Sequence, residues 1–399
     1  MEIGQLLEIV SKQGYFQGYL VKEDRDYILI KLKNGYNIGI KKKDIIEIRE
    51  LNEKITIGQF PKREFKGKGN IGFIYTGGTI GSKVDYITGG VSSIMDPREL
   101  LAIADLPYDI KIIEKPFSKF SENITPQDWV EIAKTIYKVY KKGVDGIIVA
   151  HGTDTMHFSA AYAYYALKDL SFPVAFVGAQ RSSDRASTDA VTNLFGASVY
   201  AMSNIAEVAI VMHETISDDK LVAIRGISAR KMHSSRRDAF KSINEDPLAR
   251  IYYPSGKLEI INKKINYRDP NKETKLDTAL DTRGALVFVY PGMSREIIDY
   301  YIDNGYRGLI IAGTGLGHVG HYLFDAIKRA IKEGIFVGMT TQCIYGITHP
   351  FVYSTGRELF NMGVTYLQGT PEKNYVKLLY VLGKTSNAEE VKRLMKALP

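Results

Sequence analysis

A chain of 399 residues is long enough for two or three domains with well-developed cores. It is 45% hydrophobic and 25% charged. No stretch approaches the roughly 20 apolar residues of a membrane span, and the opening MEIGQLLEIVSKQGYF lacks the basic-then-apolar profile of a signal peptide, so a cytoplasmic protein is expected. The single cysteine, Cys343, excludes an intrachain disulfide and a multi-thiolate zinc site, and the expectation for it is a small buried hydrophobe. A net charge of +8 permits nucleic-acid binding without demonstrating it.

In chain order, residues 14–52 read as short strands: GYFQGYLV, DYILIKL, YNIGIK and IIEIREL. Turn signals at Glu23–Asp26 and at Asn34-Gly35 separate them, Asn-Gly being a strong hairpin signal. A small β-barrel followed by a basic linker is expected over 1–68. This segment holds 14 Lys/Arg against 10 Asp/Glu, half of the net charge, concentrated at Lys41–Lys43 and from Lys62 to Lys68. It reads either as a solvated linker and hairpin face or as a phosphate-contacting surface.

From residue 70 buried-strand runs appear: IGFIYT at 71–76, GIIVA at 146–150, VAFVG at 174–178 and VAIVM at 208–212. Helical patterns lie between them, one opening with Thr125 as N-cap and Pro126 at the first helical position. This alternation predicts an α/β domain over 69–280 with a doubly wound parallel sheet. A polar stretch at 263–275 breaks the pattern. ALVFVY at 285–290, GLIIA at 308–312 and FVGMT at 336–340 then predict a smaller C-terminal α/β domain over 281–399.

Two motifs follow buried strands directly. In Thr76-Gly77-Gly78-Thr79-Ile80 the glycines allow a tight turn and Thr79 offers a hydroxyl at the sheet edge. In His151-Gly152-Thr153-Asp154-Thr155 a hydroxyl and a carboxylate occupy the same kind of place, although capping of the helix from Met156 explains them equally well. A threonine hydroxyl needs a nearby base to act as a nucleophile. Lys231, in Ala229-Arg230-Lys231-Met232-His233, is one candidate, with Asp154 to hold it, but spacing alone does not establish such a relay.

IYTGGTI and HGTDTM, in this order and at this distance, resemble the double signature of the asparaginase and glutaminase amidohydrolases, over roughly residues 70–399. The resemblance implies Thr79 as primary nucleophile, Thr153 and Asp154 as the second threonine and its aspartate, and Lys231 as the relay lysine, with Phe240 nine residues on. It implies Tyr86 as the tyrosine that helps activate the nucleophile. Ser121 and Glu122 would bind the substrate's amino-acid end, and the Ala179 carbonyl its amide nitrogen. One departure narrows the match. The run Gly178-Ala179-Gln180-Arg181-Ser182-Ser183-Asp184-Arg185 replaces the usual Ala-Met-Arg-Pro-like run. With Tyr353–Leu359 and the added N-terminal domain, it is similar to the glutaminase subunits of archaeal tRNA-dependent amidotransferases. That resemblance implies a tRNA-binding amidotransferase partner that takes up Glu-tRNA(Gln), ATP and Mg, a homodimer core within a heterotetramer, and no cofactor or metal on this chain. A free-standing asparaginase or glutaminase is the alternative, and a non-catalytic scaffold a third reading.

Gly313-Thr314-Gly315-Leu316-Gly317-His318 does not carry a dinucleotide fingerprint, because no acidic strand end follows at the required distance. The resemblance implies instead a loop completing a neighbouring site across a dimer. His318 and His321 lack a third metal ligand nearby in the sequence, and His151 is expected to support its loop rather than act as a base.

Overall fold

The computed structural model describes residues 2, 4–23, 25–32, 37–54, 69–84, 91–92, 96–104, 106–183 and 188–399. Tyr86, the Asn34-Gly35 turn, Asp184-Arg185 and the basic segment 55–68 therefore lie outside the described residues.

The N-terminal strands Gln5–Ser11, Gly14–Glu23, Tyr27–Leu32, Asn37–Lys41 and Ile45–Lys54 form one antiparallel sheet. The first of them lies between the second and the fifth. The sheet packs Leu7, Ile9, Leu20, Ile28, Ile30 and Ile40 into a core of its own. Strand Gln5–Ser11 adds to the strands expected from the sequence: Leu6, Leu7, Ile9 and Val10 fall at spacings that suit a helix as well as a strand. Antiparallel pairing with Gly14–Glu23 decides the matter, because it satisfies the backbone groups that a lone segment would leave open.

The large sheet runs, edge to edge, Leu258–Ile260, Ala249–Tyr252, Lys220–Arg225, Val208–His213, Val174–Val177, Gly146–Ala150, Ile71–Tyr75, Ile110–Glu114. The last five in this order are mutually parallel, and the other three join antiparallel. The doubly wound parallel sheet expected from the sequence thus carries an antiparallel edge. Alternate side chains of one strand reach opposite layers. Phe73 and Tyr75 enter a core with helix Ala190–Ala201, whereas Ile74 enters one with helices Pro126–Tyr140 and Met156–Ala166. Strands buried on both faces read as unbroken apolar runs for this reason.

Within the parallel set, the second strand in the chain lies outside the first and the third lies on the first strand's other side. Chain direction across the sheet therefore reverses between Ile71–Tyr75 and Gly146–Ala150. Such a switch point opens a crevice beyond the strand C-termini.

The C-terminal sheet, Gly284–Phe288, Gly308–Gly313, Phe336–Thr341 and Thr365–Tyr366, is wholly parallel. Helix Pro371–Leu382 ties the two α/β units together. Val376, Leu379 and Tyr380 share one core with Trp129, Tyr162 and Tyr165 from the first unit and with Ile310 and Phe336 from the second. Cys343 is exposed, not buried. It follows strand Phe336–Thr341 and starts a turn that faces outward with Ile344, Tyr345 and Ile347. No helix is long and apolar enough to cross a membrane, and no group of three or more His, Cys, Asp or Glu is placed to hold a metal ion, both among the described residues.

Candidate active site

The switch-point crevice is where both threonine motifs emerge. Thr79 opens a short 3-10 turn, Thr79–Gly81, four residues beyond strand Ile71–Tyr75. Gly78 before it has φ +82°, and a Cβ there would lie 2.3 Å from Gly152 Cα. The two motif loops therefore touch backbone to backbone, which only glycine permits. The loop is held further by Ser82 Oγ, which donates to the Gly78 carbonyl at 2.8 Å, and by the Ser183 hydroxyl, which donates to the Ile80 carbonyl.

Thr153 and Asp154 do not cap the next helix. Thr155 occupies the N-cap position, and its hydroxyl donates to the Ser121 carbonyl at 2.7 Å. The Thr153 and Asp154 side chains meet Lys231 instead. Lys231 Nζ donates to Thr153 Oγ1 at 2.8 Å and to Asp154 Oδ1 at 2.5 Å. Thr153 is 5% exposed and the Lys231 side chain 9%, whereas the Asp154 side chain is 63% exposed. The ammonium is thus nearly withdrawn from water, and the carboxylate and hydroxyl offset its lost hydration. Lys231 reaches this point from a two-strand hairpin, Ala229–Lys231 with Phe240–Ser242, in which Lys231 pairs directly with the buried Phe240.

Ser121 is 3% exposed and joins the same cluster. Its hydroxyl lies 3.4 Å from Asp154 Oδ2 and accepts from the Asp154 amide at 3.3 Å. Glu122 is exposed beside it. Ala179 is buried just past strand Val174–Val177, and the preceding Gly178 packs so closely that a Cβ there would lie 2.6 Å from the Thr153 methyl. The structure therefore brings together Thr153, Asp154, Lys231 and Ser121, with the Thr79 and Ala179 loops against them; Tyr86 is outside the described residues.

Two supporting networks have no counterpart in the sequence motifs. Lys119 Nζ donates to both Asp128 oxygens at 2.8 Å, and Asp128 also accepts from the Thr125 amide and hydroxyl. Burial opposes ionisation of Asp128, but these bonds outweigh it and hold the carboxyl below its ordinary range. Lys119 pairs in turn with the backbone of the first motif, its amide donating to the Thr76 carbonyl. On the far side, fully buried Asp189 accepts from the Gln180 and Arg181 amides. Asn193 links Asp189 and the Gly178 carbonyl to His213. The sequence shows an Asp before an apolar helix, which reads as a cap; its true partners are amides upstream of that helix.

His151 is fully buried between the Gly152 carbonyl (2.7 Å) and Ser159 Oγ (2.8 Å), and burial pushes it down to about 4. Burial, with Arg230 and Lys231 adding to it, pushes His157 to about 3. Neither is a base or acid near neutrality. Both folded values lie below the ordinary 6.5, so the unfolded chain binds more protons between pH 6.5 and about 4, and stability falls as the pH falls through that window. Histidine-selective NMR should show the His151 and His157 imidazoles still neutral at pH 5; titration of both near pH 6.5 would refute the assigned burial.

Profile matches divide the chain in the same order as the sheets. The GatD N-terminal domain matches residues 1–51, the asparaginase N-terminal domain 70–266 and the glutaminase/asparaginase C-terminal domain 285–395. The GatD subunit of the glutamyl-tRNA(Gln) amidotransferase of Nanoarchaeum equitans is 68% identical over 397 residues, covering 100% of both chains. This chain belongs to the GatD family. The Pyrococcus abyssi GatD subunit is 43% identical, covering 97% of this chain and 90% of its own. Among solved structures, the thermostable L-asparaginase of Thermococcus kodakarensis superposes with a TM-score of 0.73 at 25% identity, over 82% of this chain and 96% of that one. L-asparaginase I of Vibrio cholerae does so with 0.70 at 28% identity, over 83% and 98%. The family thus sets an asparaginase-like α/β pair behind an N-terminal β domain.

Proposed function

We propose that this chain is the glutamine-hydrolysing subunit of a tRNA-dependent amidotransferase and that Thr79 is its nucleophile. Membership of the GatD family supports the first part. The observation that carries the chemistry is the Lys231 ammonium bound at once to Thr153 and Asp154, beside the Thr79 loop.

Thr79 Oγ attacks the side-chain carbonyl of glutamine, and backbone amides at the strand ends receive the developing oxyanion. Collapse of the tetrahedral intermediate breaks the C–N bond and leaves an ester on Thr79. Lys231, oriented by Asp154, shuttles the proton that Thr79 gives up through Thr153 to the departing ammonia and then helps activate the water that frees glutamate. Ser121 and Glu122 hold the amino-acid end, the Ala179 carbonyl the amide nitrogen, and Tyr86 assists Thr79. In this reading the ammonia passes to a tRNA-binding amidotransferase partner that takes up Glu-tRNA(Gln), ATP and Mg, in a heterotetramer built on a homodimer of this chain. The chain itself needs no cofactor, and the complex works in the cytoplasm.

The test is ammonia release by the purified chain from glutamine and from asparagine, alone and with the tRNA-binding partner, ATP and Glu-tRNA(Gln). Glutamine should be preferred, and Gln-tRNA(Gln) should form only in the complete mixture. Rapid turnover of asparagine with no transamidation in the complete mixture would assign a free-standing asparaginase instead.

A further inference from the structure

A cavity of about 720 Å³ lies between the two α/β units, a size that suits a small molecule. Thr79, Ser121, Thr153, Asp154 and Lys231 are all absent from its lining. One wall is the base of the hairpin that carries Lys231, through Ser228 and Glu245. The opposite wall is helix Pro371–Leu382, through Lys373, Asn374 and Lys377, and Lys264 contributes from a third side.

Several features show a cavity built around positive charge. Lys373 and Lys377 stand one helical turn apart, a spacing at which like charges destabilise a helix. Lys377 is 4% exposed, and among the described residues its Nζ has only the Leu398 carbonyl, a neutral acceptor. Burial lowers both lysines, Lys377 to about 7. Among the described residues the Lys373 ammonium has no hydrogen bond or ion pair. The side-chain carboxylates of the lining, Glu207 and Glu245, share the single positive charge of Arg225, and Lys264, Lys373, Lys377 and Lys396 outnumber the negative charge that remains. Lysines without a carboxylate partner of their own leave room for an anion.

We propose that this cavity binds a small dianionic oxyanion, clamped between Lys373, Lys377 and Lys264, and that its occupancy sets the position of the Lys231 hairpin. The coupling is direct. Arg230, next to Lys231, pairs with Glu372 of the lysine-bearing helix at 3.0 Å, and Ser228 donates to Glu245 in the cavity wall. The proposal of a binding site stands without the reaction assigned above; the consequence for Lys231 rests on it.

Calorimetric titration of the full chain with inorganic phosphate and, separately, with glutarate tests the site. Hydrogen phosphate and glutarate both carry two negative charges but differ in size and shape, so binding of phosphate alone identifies a phosphorylated ligand and binding of both a carboxylate-tolerant one. Saturable binding of at least one probe, weakened tenfold or more by Lys373→Gln and retained by Lys373→Arg, is the expected result. Hydrogen exchange across 228–245 should slow on saturation. Absence of saturable binding of both probes, or equal binding by a folded Lys373→Gln variant, overturns the site. Binding with unchanged exchange in the hairpin overturns the coupling. Neither readout depends on glutamine turnover, so failure here is separate from failure of the functional assignment.

Discussion

Thr79→Ala should lower ammonia release from glutamine by about a thousandfold or more, the scale on which hydrolases lose turnover when the nucleophile is removed. The expectation rests on the proposed ester chemistry and on the position of Thr79 at the crevice, where its loop abuts the HGTDT segment. The fold should survive, because Thr79 is only half-buried and the loop is fixed by Ser82, Ser183 and the Gly78–Gly152 approach. Ammonia release and a thermal melt on the same preparation separate the two effects. A variant with an unchanged melt that still turns over at near the parent rate would remove Thr79 from the nucleophile's role, and Thr153 would be the next residue to test.

Lys231→Ala should cost at least about a hundredfold in turnover, as expected for a positioned acid–base group, with a much smaller effect on stability. The lysine is nearly buried, but the Asp154 it leaves behind is 63% exposed and can be hydrated, so no charge is stranded in the interior. Thr153 loses a donor at 2.8 Å, and its hydroxyl is then free to turn away from the crevice. Partial rescue by small exogenous amines would support proton transfer by the lysine. A loss of tenfold or less would mean that Lys231 only braces the loop.

These two residues differ in how legible they are in the sequence. Thr79 stands a few residues past a five-residue apolar strand and after two glycines, so its place at a sheet edge follows from local pattern alone. Lys231 is 77 residues from Asp154, on a three-residue strand between polar neighbours, and nothing local distinguishes it from a surface lysine. Only resemblance singles it out, and the hairpin pairing of Lys231 with buried Phe240 supplies the physical reason it points inward. The capping explanation of Thr153 and Asp154 is equally good on the sequence, and the geometry removes it: Thr155 takes the N-cap position.

The sequence by itself determined where the inner parallel strands lie, though not the edge strands Ile110–Glu114 and Thr365–Tyr366. Runs such as GIIVA and VAFV are apolar at every position because both faces of the sheet are covered, and that pattern needs no tertiary information. It likewise determined the turn-forming glycines that follow the first strand. Tertiary structure alone decided the strand order, and hence that the first and third strands of the parallel set flank the switch point with both threonine motifs in it. It also decided that Gln5–Ser11 is a strand, that Cys343 faces outward, and that Asp189 serves upstream amides rather than its own helix. The division has one cause. Periodicity records which faces of an element are covered, while pairing partners many residues away, and the buried polar groups they satisfy, leave no periodic mark on the chain.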